Sequence, residues 1–164
     1  MSGDILAEEE IRLGDRPLLI CDVDEVALEF VTPFMAFLQS RDHELRPVSF
    51  RLTGNIYALD SGLAADQTQV SDLLEDFFAE QDRWQRAAES AADTLTDLSR
   101  EADVVFLTAM PPRHRAIRRR LLDAVGMPFP MIASEKAKRP AARRLHGARD
   151  PPVAFVDDSL RNLH

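Results

Sequence analysis

Apolar runs and amphipathic stretches alternate along the chain and predict a succession of strands and helices. Leu18–Cys21 is a run of four apolar residues, which is typical of a short strand buried on both faces. Over the last hundred residues the predicted strands alternate with predicted helices, and this order favours βαβ units and a parallel sheet. The remaining predicted strands are Ala102–Leu107, Phe129–Ala133 and Pro152–Val156, and the predicted helices are Val31–Gln39, Ser71–Gln81, Trp84–Arg100, Arg113–Val125 and Lys136–His146.

A mostly helical stretch, residues 30–82, separates the first predicted strand from the rest of the predicted sheet. A simple crossover between neighbouring strands needs far fewer residues. Within this stretch, Pro47–Tyr57 mixes β-branched and aromatic residues around a Gly-Asn pair, which predicts a short hairpin or loop. We therefore predict a core domain formed by residues 1–29 and 83–164, with residues 30–82 inserted as a small, mostly helical domain.

Length and cysteine content narrow the class of protein. The 164 residues suffice for one domain with a sizeable core. The sequence has no apolar run of membrane-spanning length and no hydrophobic region of a signal peptide. Its single cysteine, Cys21, excludes a disulfide framework within the chain. These features predict a cytoplasmic protein without a membrane partner.

The net charge of −8 is distributed unevenly. Residues 1–108 carry 8 basic and 23 acidic side chains, whereas residues 109–164 carry 12 basic and 5 acidic ones. The total charge argues against general nucleic-acid binding, but the last third of the chain could receive an anionic substrate. The alternative is that Arg113–Arg120 and Arg139–Arg149 are merely solvated helix faces.

Polar side chains follow three of the predicted strands at the point where each strand ends. Asp22 and Asp24 follow the first strand, Thr108 follows the second, and Asp157 and Asp158 follow the last. In a parallel sheet these exits lie on one edge, which is where open α/β sheets bind ligands. Each exit taken alone could be a solvated turn. Together, three complementary polar exits predict a functional site at this edge.

These exits resemble the motifs of the haloacid dehalogenase-like (HAD) hydrolase superfamily, most of whose members are Mg²⁺-dependent phosphatases. The resemblance implies a Rossmann-like parallel sheet with helices on both faces and a small helical cap at residues 30–82. The residues that carry it are Cys21–Val26 for the first motif, Val104–Thr108 for the second, Lys138 for the third and Ala154–Ser159 for the fourth, with Lys136 as the alternative lysine.

The resemblance implies roles for the first two aspartates. Asp22 would attack phosphorus through one carboxylate oxygen and bind Mg²⁺ through the other, which gives an aspartyl-phosphate. Asp24 would protonate the leaving oxygen and then take a proton from the hydrolytic water. The backbone carbonyl of Asp24 would be a further metal ligand.

The resemblance also assigns the remaining motif residues. Asp157 and Asp158 would hold Mg²⁺ directly or through water, since this ion prefers oxygen ligands and keeps several waters. Thr108 and Lys138 would stabilise the phosphoryl oxygens. We therefore expect a Mg²⁺-dependent phosphatase that hydrolyses a small phosphorylated substrate.

Two departures from the family pattern leave alternatives open. Glu25-Val26 stands where many members have Gly-Thr after the second aspartate, which adds negative charge beside the phosphate site. The family's core normally continues beyond the fourth motif, so either the core is minimal or a further piece is absent, and self-association could cover the sheet edge. The alternative functions are a non-catalytic HAD-like binding or regulatory domain and a phosphatase acting on nucleic-acid ends.

Overall fold

The structure of the protein, a computed structural model, describes residue 3 and residues 15–46, 54–134 and 152–156. Within these ranges the chain forms six strands and five α-helices, with a 3₁₀ turn at Pro112–His114. None of the described helices is long and apolar enough to cross a membrane. The strands are β1 (Leu18–Cys21), β2 (His43–Leu45), β3 (Ile56–Ala58), β4 (Asp103–Thr108), β5 (Met131–Ala133) and β6 (Val153–Val156), and the helices are α1 (Val31–Ser40), α2 (Gln67–Ala79), α3 (Gln81–Trp84), α4 (Ala91–Leu98) and α5 (Arg115–Ala124).

A parallel four-stranded sheet with the strand order β5-β4-β1-β6 forms the centre of the fold. β1 lies between β4 and β6, and Cys21 at its end is paired with Phe106 on one side and Val156 on the other. This register places the exits of β1, β4 and β6 at the same edge. The predicted α/β class and the parallel sheet are thereby confirmed.

The two faces of the sheet carry separate apolar clusters, because successive side chains of a strand point to opposite faces. Leu19, Cys21 and Phe106 face the cluster to which α4 contributes Leu95 and α5 contributes Leu122. Residues of alternate parity form the cluster on the other face, namely Leu18, Ile20, Val105, Leu107 and Ile132. The prediction of helices on both faces of the sheet depends on the helix predicted at Lys136–His146. That helix lies outside the described residues.

The chain divides into two compact units, and the second comprises Phe30–Gln85. Within this unit β2 and β3 form an antiparallel pair, and aromatic rings of α1 and α2 contact each other. Phe77 contacts Phe34 at 5.1 Å and Phe37 at 5.4 Å between ring centroids, in edge-on geometry. Residues 47–53 of the predicted hairpin lie outside the described residues.

The first unit comprises the described residues within Met1–Glu29 and Arg86–His164. Its two chain segments meet where the sequence leaves and re-enters it, because the Glu29 amide donates to the Arg86 carbonyl at 2.8 Å. The Ala88 amide likewise donates to the Ala27 carbonyl at 2.9 Å. These extended contacts correct the predicted helix Trp84–Arg100, since residues 85–90 are not helical and α4 begins only at Ala91.

Candidate active site

Asp22 is the first residue after β1 and is held by backbone contacts on both sides. Its amide donates to the Val156 carbonyl at 2.9 Å, which extends the pairing of β1 with β6 by one residue. Its Oδ1 accepts a hydrogen bond from the Val23 amide at 2.8 Å. Asp22 is only 4% exposed. The carboxylate is therefore fixed at the carboxyl edge of the sheet.

A tight turn follows Asp22 and redirects the chain. The Val23 carbonyl accepts the amides of Val26, Ala27 and Leu28 at 2.8–3.2 Å. Glu25 has a φ of 64°, a left-handed conformation that is uncommon for a residue other than glycine. Such strain persists where the surroundings enforce it, often near functional sites. After this turn the Asp24 carboxylate lies close enough to Thr108 for one side chain to contact both.

Arg118 connects Asp24 to Thr108. Its Nη2 donates to Oδ1 of Asp24 at 2.9 Å and its Nη1 donates to Oδ2 at 3.1 Å, so the guanidinium contacts both carboxylate oxygens in a bidentate arrangement. The same Nη1 donates to Oγ1 of Thr108 at 2.7 Å. The Arg118 side chain is fully buried, whereas that of Asp24 is 22% exposed. Two of the predicted site residues, Asp24 and Thr108, are thus joined through Arg118, which was not among the predicted site residues.

The burial of Arg118 and Arg119 corrects the interpretation of Arg113–Arg120 as a solvated face. Arg118 is 0% and Arg119 4% exposed, while Arg113 and Arg120 are exposed. The sequence does contain a signal for Arg118. It precedes Leu121 and Leu122 by three and four residues, which places it on the buried stripe of α5.

Cys21 lies directly before Asp22 and is completely buried. Burial, together with the neighbouring Asp22 carboxylate, raises the pKa of its thiol to about 12. The thiol also lies 3.2 Å from the carbonyl oxygen of Asp22, to which it can donate. A protonated, enclosed thiol suits packing and not nucleophilic attack.

The structure brings together Asp22, Asp24 and Thr108 at neighbouring strand exits. The other predicted site residues, Asp157, Asp158 and Lys138 with its alternative Lys136, lie outside the described residues. Val156 carries the chain to the same edge, and Asp157 follows it directly in the sequence. Within the described part of the chain, no group of three or more His, Cys, Asp or Glu side chains could hold a metal ion.

At this edge Asp22 presents one carboxylate, an oxygen ligand of the kind that Mg²⁺ binds, and this ion binds through one or two carboxylates and keeps several waters. Asp22 offers a fixed carboxylate, and each carboxylate oxygen can accept more than one contact. Because Arg118 donates hydrogen bonds to both side-chain oxygens of Asp24, the backbone carbonyl of Asp24 is the more suitable metal ligand.

A search against protein-family models and a search of curated proteins each returned no match to the chain.

Proposed function

We propose that this protein is a HAD-like, Mg²⁺-dependent phosphatase that hydrolyses a phosphomonoester through an aspartyl-phosphate. The observation that carries the proposal is the link of Asp24 through Arg118 to Thr108, beside the fixed carboxylate of Asp22. The residues to which the resemblance gives the roles of nucleophile, acid/base and phosphoryl-binding hydroxyl lie at adjacent strand exits. The motifs of the sequence assign these three roles to the same three residues.

In the first step the Asp22 carboxylate forms a bond to phosphorus, and the bond from phosphorus to the leaving oxygen breaks. As the general acid, Asp24 would give a proton to the leaving oxygen. In the second step water attacks the phosphoryl group of the aspartyl-phosphate and transfers a proton to Asp24. Inorganic phosphate leaves, and the Asp22 carboxylate is restored.

Asp22, the backbone carbonyl of Asp24, Asp157 and Asp158 are the residues that would hold Mg²⁺. When bound, the ion would offset the negative charge of the phosphoryl group, which otherwise repels the Asp22 carboxylate. Thr108 and Lys138 would add hydrogen-bond donors to the phosphoryl oxygens. The substrate that suits this arrangement is a small phosphorylated molecule.

The test compares Asp22→Asn with Asp24→Asn on para-nitrophenyl phosphate in the presence of Mg²⁺. Asp22→Asn should abolish turnover, because the amide cannot form the phosphoenzyme. Asp24→Asn should lower turnover by about 10²- to 10⁴-fold, which is the usual contribution of a general acid or base. The nitrophenolate leaves without an acid, so acid-quenched mass spectra of Asp24→Asn should show an added phosphoryl group on the peptide that contains Asp22.

Asp103→Asn is the matched control. Asp103 begins β4 at the opposite edge of the same sheet, so its replacement should leave turnover and the phosphoenzyme unchanged. Equal, partial loss of activity in Asp22→Asn and Asp24→Asn without any phosphoenzyme would mean that Asp22 is not the nucleophile. Absence of wild-type turnover across sugar phosphates, nucleotides and phosphoamino acids, with and without Mg²⁺, would favour a non-catalytic binding domain.

A further inference from the structure

We infer that Arg118 is a positioning residue for this reaction, one that sets the Asp24 carboxylate and the Thr108 hydroxyl in a shared geometry. The inference rests on the proposed function, because it concerns how that site works. Arg118 is fully buried, so it acts through the two residues it contacts and not by touching substrate.

The contact with Thr108 assigns the roles of its hydroxyl group. A guanidinium has five N–H donors and no acceptor, so in the 2.7 Å contact Thr108 Oγ1 must accept. The single hydroxyl proton of Thr108 is not used in this contact. It can be donated to another acceptor, and a phosphoryl oxygen is the acceptor that the proposed function supplies. The contact with Arg118 therefore leaves the hydroxyl proton of Thr108 for donation to substrate.

The contact with Asp24 fixes the plane of its carboxylate. Two N–H groups of one rigid guanidinium reach the two oxygens at 2.9 and 3.1 Å, a bidentate geometry that lysine cannot reproduce. The Asp24 side chain remains 22% exposed, so it contacts Arg118 on one side and solvent on another. Proton transfer depends strongly on such orientation.

Arg119, the next residue of α5, is a second buried arginine and allows a comparison with Arg118. Its guanidinium donates to the carbonyls of Met127 and Phe129 and pairs with Asp123 at 2.9 Å. None of these partners belongs to the candidate site. Buried ion pairs are often no better for stability than apolar packing, so the direction of the Arg118 contacts toward Asp24 and Thr108 is the informative difference.

The experiment compares Arg118→Lys with Arg119→Lys, each with its folded fraction measured by circular dichroism. Turnover of para-nitrophenyl phosphate per folded molecule should fall about 10²-fold in Arg118→Lys, a usual loss for displaced catalytic geometry. The phosphoenzyme should accumulate in Arg118→Lys, as expected for Asp24→Asn, because hydrolysis then lacks an oriented base. Arg119→Lys should lower the melting temperature without changing either quantity.

The level of phosphoenzyme is the decisive reading, since a merely structural residue alters how much protein is folded and not the balance between the two chemical steps. Equal turnover and equal phosphoenzyme in folded Arg118→Lys and Arg119→Lys would overturn this inference and leave the proposed function intact. Failure of both Arg118→Lys and Arg118→Gln to fold, with Arg119→Lys folded, would also overturn it in favour of a structural role. A wild-type protein without turnover would overturn both.

Discussion

Cys21 and Asp22 are adjacent in the chain and have opposite chemical characters. The Cys21 thiol is buried in the cluster that α4 and α5 cover, and its pKa is raised to about 12. The next side chain is a carboxylate held at the sheet edge by the Val23 amide. Cys21 is therefore the last core residue of β1, and Asp22 is the first residue of the candidate site.

The Cys21 thiol should resist alkylation in the native protein. We expect iodoacetamide to label it at pH 8 only after urea unfolds the chain, because the native thiol is enclosed and protonated. Mass spectrometry of the protein before and after unfolding provides the measurement. Rapid native labelling would contradict the burial of this side chain.

The same thiol should make stability depend on pH. The pKa in the folded state lies above the unfolded value of 9.0, so the unfolded chain loses the proton first as pH rises. The Cys21 contribution is fully present below pH 9 and falls by about 1.4 kcal/mol per pH unit between 9 and 12. Urea unfolding of wild type and of Cys21→Ala at pH 8 and pH 10 measures the Cys21 contribution to the free energy of unfolding. All other groups titrate in both proteins, so their effects cancel in the comparison.

At the scale of elements, α2 has the most complete end of the described helices. The Asp66 Oδ1 accepts from the Gln69 amide at 2.8 Å, and the Gln69 side chain accepts from the Asp66 amide at 2.9 Å. This capping box satisfies two of the amides that a helix start leaves unpaired. It begins the helix four residues before the predicted start at Ser71.

Removal of this cap should destabilise the inserted unit. We expect Asp66→Ala to lower the free energy of unfolding by about 1 kcal/mol, the typical value of an N-cap. Asp72→Ala, an exposed position within the same helix, should change it by less than about 0.5 kcal/mol. Urea denaturation followed by circular dichroism measures both, and equal effects would mean that the cap is not responsible.

The elements show how far sequence patterns carry. The four strands of the central sheet were predictable, because each is a short apolar run between turn signals. The motif residues follow three of these strands in the sequence. The start of α4 was not predictable, since Ala87 and Ala88 suit a helix but contact the Ala27–Leu28 segment instead. Arg118 was missed for a related reason, because an arginine in a basic stretch looks solvated unless its tertiary partners are known.

At the scale of the whole molecule, metal binding should be linked to stability. The Asp22 amide donates to the carbonyl of Val156 at the end of β6, and Asp157 and Asp158 follow Val156 in the sequence. If the proposed site brings these carboxylates together, they should repel one another without a cation. At a hundred times its dissociation constant, Mg²⁺ should stabilise the native state by about 2.7 kcal/mol if it binds only that state.

The measurement is a thermal melt with Mg²⁺ and with a chelator. We expect a Mg²⁺-dependent rise of the melting temperature in wild type and none in the double variant Asp157→Asn/Asp158→Asn. Arg118→Lys should retain the rise, because Arg118 holds the side-chain oxygens of Asp24, whereas the proposed metal ligand is its backbone carbonyl. A wild-type melting temperature indifferent to Mg²⁺ and to chelator would contradict the proposed metal site.

The hydrogen bond between the Glu29 amide and the Arg86 carbonyl has a consequence for how this protein could change over evolution. The chain leaves the first unit and returns to it at neighbouring points, so the length of what lies between them hardly affects the sheet. Loop-closure entropy grows only slowly with length, and insertions are tolerated where both ends are close together. We therefore expect changes of length between Phe30 and Gln85 to leave the positions of Asp22, Asp24 and Thr108 largely unchanged.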